Sequence, residues 1–105
     1  MDEVILPAAL LAELIAHATA HLPEEACGLL AGRAGRATRF YPVENMRHSP
    51  VTYEMQPRAL VEAMLSIEVE GLELLAIYHS HPSGPARPST TDVAQAYYPE
   101  QAYLI

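Results

Sequence analysis

Two histidines, His79 and His81, stand one residue apart, and a carboxylate, Asp92, follows them across Pro82, Gly84, Pro85 and Pro88. Imidazole and carboxylate are ligand types of catalytic zinc sites, in which three protein donors leave one position open. Side chains of an extended chain repeat with period two, so His79 and His81 project to the same side and can share one ion. The proline- and glycine-rich stretch after His81 reads as a bend that returns Asp92 toward the pair. Two neutral imidazoles and one ionised carboxylate cancel half the charge of Zn2+. Water on such an ion ionises with a pKa of about 7, against about 9 for aqueous Zn2+. Hydroxide is then available near neutral pH, and the metal can also polarise a carbonyl.

Hydrolysis at such a site also needs a proton carrier that is not a ligand. Glu24 and Glu25 stand just before a short apolar segment. Consecutive residues of an extended chain face opposite ways, so only one of them points into the site, and periodicity alone does not choose which. Cys27, the one cysteine, reads as a small buried residue rather than a nucleophile. His17, His21 and His48 show no partner pattern and read as surface residues. Tyr97, Tyr98 and Tyr103 line a groove or pack in the core. Ser89-Thr90-Thr91-Asp92 also fits the start of a helix, because serine or aspartate there can cap exposed amides.

These residues need a frame. A first helix is expected over residues 7 to about 22, with Pro7 in its first turn, an apolar face of Leu10, Leu11, Leu14, Ile15 and Ala18, and Pro23 ending it. Residues 26–31 form a buried strand, residues 32–35 a turn, and residues 36–45 a second strand, whose Pro42 argues for a sheet edge or a bulge. Residues 53–55 are a brief extended piece after a loop over residues 46–52. A second helix runs from Pro57 to about Glu70, with Leu60, Val61, Met64, Leu65 and Ile67 apolar and Gly71 as its cap. The almost continuously apolar residues 72–78 suit a strand buried on both faces, which places His79 and His81 at its carboxyl end. A third helix is expected over residues 89 to about 98, and a strand over residues 101–105.

Composition narrows the functional classes. With 105 residues the chain makes one small domain. Half of it is hydrophobic and 18% is charged, which supports a packed core rather than disorder. The formal charge of -7 repels phosphate backbones, so nucleic acid is a disfavoured partner. The cations are six arginines without a lysine, which excludes Schiff-base chemistry on a lysine side chain. The acidic amino terminus lacks the basic region of a signal peptide, and no apolar run reaches the ~18 residues of a membrane span. A cytoplasmic protein is therefore expected, with no membrane partner. The last two residues, Leu104 and Ile105, are apolar in mid-strand, and an open apolar edge invites pairing with other chains. A domain truncated on its carboxyl-terminal side is expected.

Residues Pro23-Glu24-Glu25-Ala26-Cys27-Gly28-Leu29-Leu30-Ala31-Gly32, followed by the stretch from His79 to Asp92, resemble the JAMM (MPN+) zinc metalloprotease family of short prokaryotic type. The family pattern is a glutamate before x-C-G, then H-x-H, seven residues, serine, two residues and aspartate. Here Glu25, His79, His81, Ser89 and Asp92 match without a gap, and Asn45, Tyr53 and Tyr78 also look like the short members. The resemblance covers residues 7–105 and implies an α/β (α+β) fold: a cytidine-deaminase-like MPN mixed sheet flanked by helices. It implies one catalytic zinc on His79, His81 and Asp92, Glu25 as general acid and base, and Ser89 as hydrogen-bond donor to the oxyanion. It further implies hydrolysis of a peptide or isopeptide bond after the diglycine tail of a ubiquitin-like or sulfur-carrier protein, by Glu-assisted attack of zinc-bound water. Family domains continue with further strands and a helix beyond residue 105.

Other readings predict different behaviour. A non-catalytic MPN-type binding or scaffold domain would hold no metal. A cysteine hydrolase built on Cys27 would be killed by alkylation and spared by chelation. Zinc deaminases use H-x-E with P-C-x-x-C, whereas His81 takes the glutamate position here and the cysteine pair is absent. A RadC-like relative shares H-x-H-P-S-G, but the E-x-C-G-L-L segment favours the peptidase branch.

Overall fold

A computed structural model describes residues 3–82 and the backbone of residues 102–104. Ser89, Asp92, the expected third helix and the side chains of Tyr97, Tyr98 and Tyr103 lie outside the described residues. Helix α1 (Ala8–Ala20) starts one residue later than the proline pattern implies. Pro7 is extended, with ψ 148°, and serves as the N-cap. Its carbonyl accepts from the amides of Leu10 and Leu11 at 3.1 and 3.0 Å. Strands β1 (Cys27–Arg33) and β2 (Arg36–Val43) form a hairpin. Helix α2 (Pro57–Val69) begins with Pro57 behind Gln56, whose side chain accepts from the Ala59 amide at 2.7 Å. Strand β3 (Glu73–His79) and strand β4 (Ala102–Leu104) complete the sheet in the order β2-β1-β3-β4. β1 is antiparallel to both neighbours and β4 is parallel to β3, so the sheet is mixed and flanked by helices, as expected. β2, with Pro42, lies at the edge of the sheet.

Period-two alternation divides the core into two layers. Leu30, Ala76 and Tyr78 pack on one face with Leu10 and Leu14 of α1. Leu29, Ala31 and Ile77 pack on the other with Ala63 and Ile67 of α2. Leu29 and Leu30 are both fully buried although adjacent, because β1 is covered on both sides. Each such leucine contributes about 1.5–3 kcal/mol relative to an exposed one. Among the described residues no helix is long and apolar enough to cross a membrane.

Further expectations change. The second strand ends at Val43 rather than Asn45, and α1 ends at Ala20 rather than near Leu22. The turn expected over residues 32–35 shrinks to Ala34 and Gly35, with φ of 52° and 78°. Positive φ at both central residues matches the right-handed twist of a two-residue hairpin, so β1 continues to Arg33. Alanine at the first of these positions hides that turn from a sequence reading. His17, read as a surface residue, is half-buried and lies edge-on to Phe40 at 5.1 Å between centroids. Burial first, and then the neighbouring His21, lower its pKa.

Gly28 shows why x-C-G carries glycine: a Cβ there would lie 2.6 Å from both the Tyr41 carbonyl oxygen and the Phe40 ring. Backbone cannot retreat from a hydrogen-bonded strand, so Gly28→Ala is expected to destabilise the fold by about 1–3 kcal/mol, the usual range for overpacking. A thermal melt checks this, and an unchanged midpoint would contradict the close approach.

Candidate metal centre

The carboxyl end of β3 lies beside the start of β1, where His79 pairs with Cys27. One residue further the pairing becomes reciprocal. The Ser80 amide donates to the Ala26 carbonyl at 2.9 Å, and the Ala26 amide donates to Ser80 Oγ at 2.9 Å. Ser80 thus faces the neighbouring chain, and the residues on either side of it turn to the opposite side. His79 and His81 converge there, with their Nε2 atoms 3.0 Å apart and ring centroids 4.8 Å apart. Glu25, only 2% exposed, brings a carboxylate oxygen to the pair. One donor atom from each of Glu25, His79 and His81 lies within 4.8 Å of the others. Tyr53 stacks on the His79 ring at 4.5 Å with planes 20° apart.

The donor set fits a zinc ion. Zn–N distances of about 2.0–2.1 Å at a tetrahedral angle put two ligand nitrogens about 3.3 Å apart, close to the 3.0 Å separation of the imidazole nitrogens. The paired imidazole nitrogens also match the preference of borderline-soft zinc for nitrogen donors, and the buried Glu25 carboxylate lies beside them.

The two glutamates have different surroundings. Glu24 turns outward, and its Oε1 meets His48 Nδ1 at 3.0 Å. His48 also approaches Glu44, at 3.3 Å. The hydrogen bond and charge of Glu24, followed by the weaker influence of Glu44, raise the His48 pKa. Glu25 is the glutamate placed beside the histidine pair.

Cys27 lies next to this centre and is fully buried, its thiol donating to the Val43 carbonyl at 3.3 Å. Burial, and then the charge of Glu25, push the thiol pKa up to about 12. Such a thiol is a packing group rather than a nucleophile. Iodoacetamide is expected to leave it unmodified in the folded protein and to modify it in urea; stoichiometric labelling under native conditions would contradict its burial.

The sequence points to Asn45 and Tyr53 only through the family resemblance, and it gives Ser80 no role. The Ser80 bonds follow from the same period two that pairs the histidines, so a serine between them was a usable signal. The stacking of Tyr53 and the buried carboxamide of Asn45, 5% exposed, depend on a loop returning to the strand end, and no local pattern announces them.

Residues 7–105 match the family of prokaryotic homologs of the JAB domain. A probable TtuB-protein conjugate cleaving protease of Thermus thermophilus is 48% identical over 92 residues, covering 87% of this chain and 62% of that protein. A desampylase of Haloferax volcanii is 41% identical over 86 residues, covering 79% of this chain and 62% of the relative. The chain therefore spans less than two thirds of the length of either relative. A CysO-cysteine peptidase of Mycobacterium tuberculosis is 35% identical over 104 residues, covering 97% of this chain and 71% of the relative. The solution structure of a Desulfitobacterium hafniense protein superposes with a TM-score of 0.81 at 39% identity, covering 90% of this chain and 67% of that one.

Proposed function

We propose, from the premise that this chain belongs to the family of prokaryotic homologs of the JAB domain, that it is a zinc-dependent peptidase or isopeptidase. Its substrate is the bond that follows the carboxyl-terminal tail of a ubiquitin-like or sulfur-carrier protein. The observation that carries this reading is the convergence of His79 and His81 at 3.0 Å beside the buried Glu25 carboxylate. Relatives named for cleaving TtuB conjugates, as a desampylase and as a CysO-cysteine peptidase support the substrate class.

His79 and His81 would hold the ion as neutral imidazoles, with Asp92 as third ligand. Zinc, when bound, supplies a Lewis acid that acidifies water and polarises a carbonyl. Glu25 takes the proton from the attacking water as the new C–O bond forms, then delivers it to the amine nitrogen as the C–N bond breaks. A carboxylate can serve both steps because it is the acceptor in one and, once protonated, the donor in the other. The Ser89 hydroxyl donates to the oxyanion that develops on the carbonyl. Ser80 and Tyr53 do no chemistry: Ser80 fixes the backbone between the two histidines, and Tyr53 limits rotation of the His79 ring.

The test is incubation of the zinc-loaded protein with carrier-protein conjugates, followed by mass spectrometry. Release of a carrier ending in its free diglycine carboxylate, abolished by chelation and restored by zinc, is the expected result. Conjugates left intact at one zinc per chain would contradict the reading.

A further inference from the structure

We infer that Asn45 is a positioning residue of the metal centre, because its buried carboxamide ties the main chain of Glu25 to both sides of Tyr53. Asn45 Nδ2 donates to the Glu25 carbonyl at 3.0 Å and to the Thr52 carbonyl at 3.2 Å. Its Oδ1 accepts from the amides of Arg47 at 3.0 Å and Glu54 at 3.1 Å. Two carbonyls face one end of the amide and two N–H groups the other, so a single orientation satisfies the network.

The bonds to Thr52 and Glu54 bracket Tyr53, whose ring lies on the His79 imidazole. The bond to Glu25 fixes the carbonyl of the residue whose carboxylate faces that imidazole pair. The same loop returns to Glu25 once more, where the Ser49 carbonyl accepts from the Glu25 amide at 2.8 Å. Both main-chain polar groups of Glu25 are therefore held by the segment that Asn45 organises. Glu25 precedes β1 and has no strand ladder of its own, so its backbone depends on these bonds. Asn45 itself is placed by its antiparallel bridge to Met55. A carboxamide is the fitting group here because it offers two donors and a two-lone-pair acceptor in one plane.

The catalytic consequence rests on the hydrolysis proposed above; the structural one does not. Asn45→Asp keeps the shape of the side chain but turns an oxygen toward two carbonyl oxygens, and thus removes both donated bonds. In zinc-loaded Asn45→Asp we expect one bound zinc per chain. Misplacement of a reacting group lowers kcat by about tenfold or more, and KM stays within about threefold, since substrate binding is not the function removed. The Glu25 amide, held by the Ser49 carbonyl of the loop that Asn45 ties down, exchanges about tenfold or more faster. The Glu54 amide, whose acceptor Oδ1 the aspartate retains, and Leu30 and Ile77 in the sheet keep wild-type protection. Arg47→Ala is the control. It removes the exposed ion pair to Glu54 at 2.9 Å but leaves the carboxamide bonds, and kcat should stay within about twofold. Where the aspartate variant does not fold, Asn45→Ser reports the same direction at Glu25 and in kcat, and frees the Glu54 amide as well.

Wild-type exchange at Glu25 in a folded Asn45 variant overturns the inference, as does an equal loss of kcat in Arg47→Ala. A wild-type protein that cleaves no conjugate sinks the hydrolysis instead, and the exchange experiment then decides the role of Asn45 alone.

Discussion

Glu25→Gln is expected to bind zinc as the wild type does and to lose about 10²–10⁴-fold in kcat, the usual contribution of a positioned acid–base group. The glutamate is 2% exposed and lies beside two imidazoles. Glutamine has nearly the same shape, so packing and the main-chain bonds to Ser49 and Asn45 survive. Only the ability to take up and return a proton disappears. The measurement is zinc content and single-turnover cleavage on the same sample. Full turnover with full zinc removes Glu25 from the chemistry. Loss of zinc together with turnover would instead make Glu25 a ligand rather than the proton carrier. Glu24→Gln is the matched comparison, because Glu24 faces His48 at 3.0 Å rather than the histidine pair.

The second large effect concerns the ligands. His81→Ala is expected to weaken zinc binding by more than the 10–100-fold that accompanies loss of an outer-shell partner, and to abolish hydrolysis at stoichiometric metal. His81 lies just past β3 and is partly exposed, so its removal leaves the core intact and the melting behaviour of the metal-free protein close to wild type. His79→Ala removes the same metal affinity but also a side chain that is 1% exposed and stacked on Tyr53. It should therefore destabilise the metal-free fold as well, by the cavity it leaves. The contrast between the two variants is diagnostic. Competition with a chromophoric chelator reads affinity, and thermal melts with and without zinc read the structural part. Equal zinc affinity in His81→Ala and wild type would remove His81 from the coordination sphere.

The strand-based part of this arrangement was legible in the sequence because it obeys simple periods. The continuous apolar run before His79 implied a strand covered on both faces, and β3 is buried from Leu75 to His79. Period two put His79 and His81 on one side. Pro42 argued for an edge or a bulge, and β2 lies at an edge. The hairpin turn was read too long because Ala34, a residue seldom found with φ of 52°, makes it. Glu24 and Glu25 could not be separated by periodicity, since both precede β1 and their directions depend on a loop from residues 46–54. Asn45 and Tyr53 were legible only as part of the resemblance. Their physical roles arise from contacts over long sequence separations, which no local pattern encodes. Ser89 and Asp92 lie outside the described residues and enter as proposed partners of the histidine pair.

The central claim is that His79 and His81 hold a zinc ion without sulfur, although Cys27 pairs with His79 across the sheet. X-ray absorption at the zinc edge of the protein loaded with one equivalent tests it most directly. The account predicts a first shell of nitrogen and oxygen at about 2.0–2.1 Å with the outer-shell scattering of two imidazoles. A sulfur shell at about 2.3 Å, or zinc that shows no imidazole scattering, would contradict it.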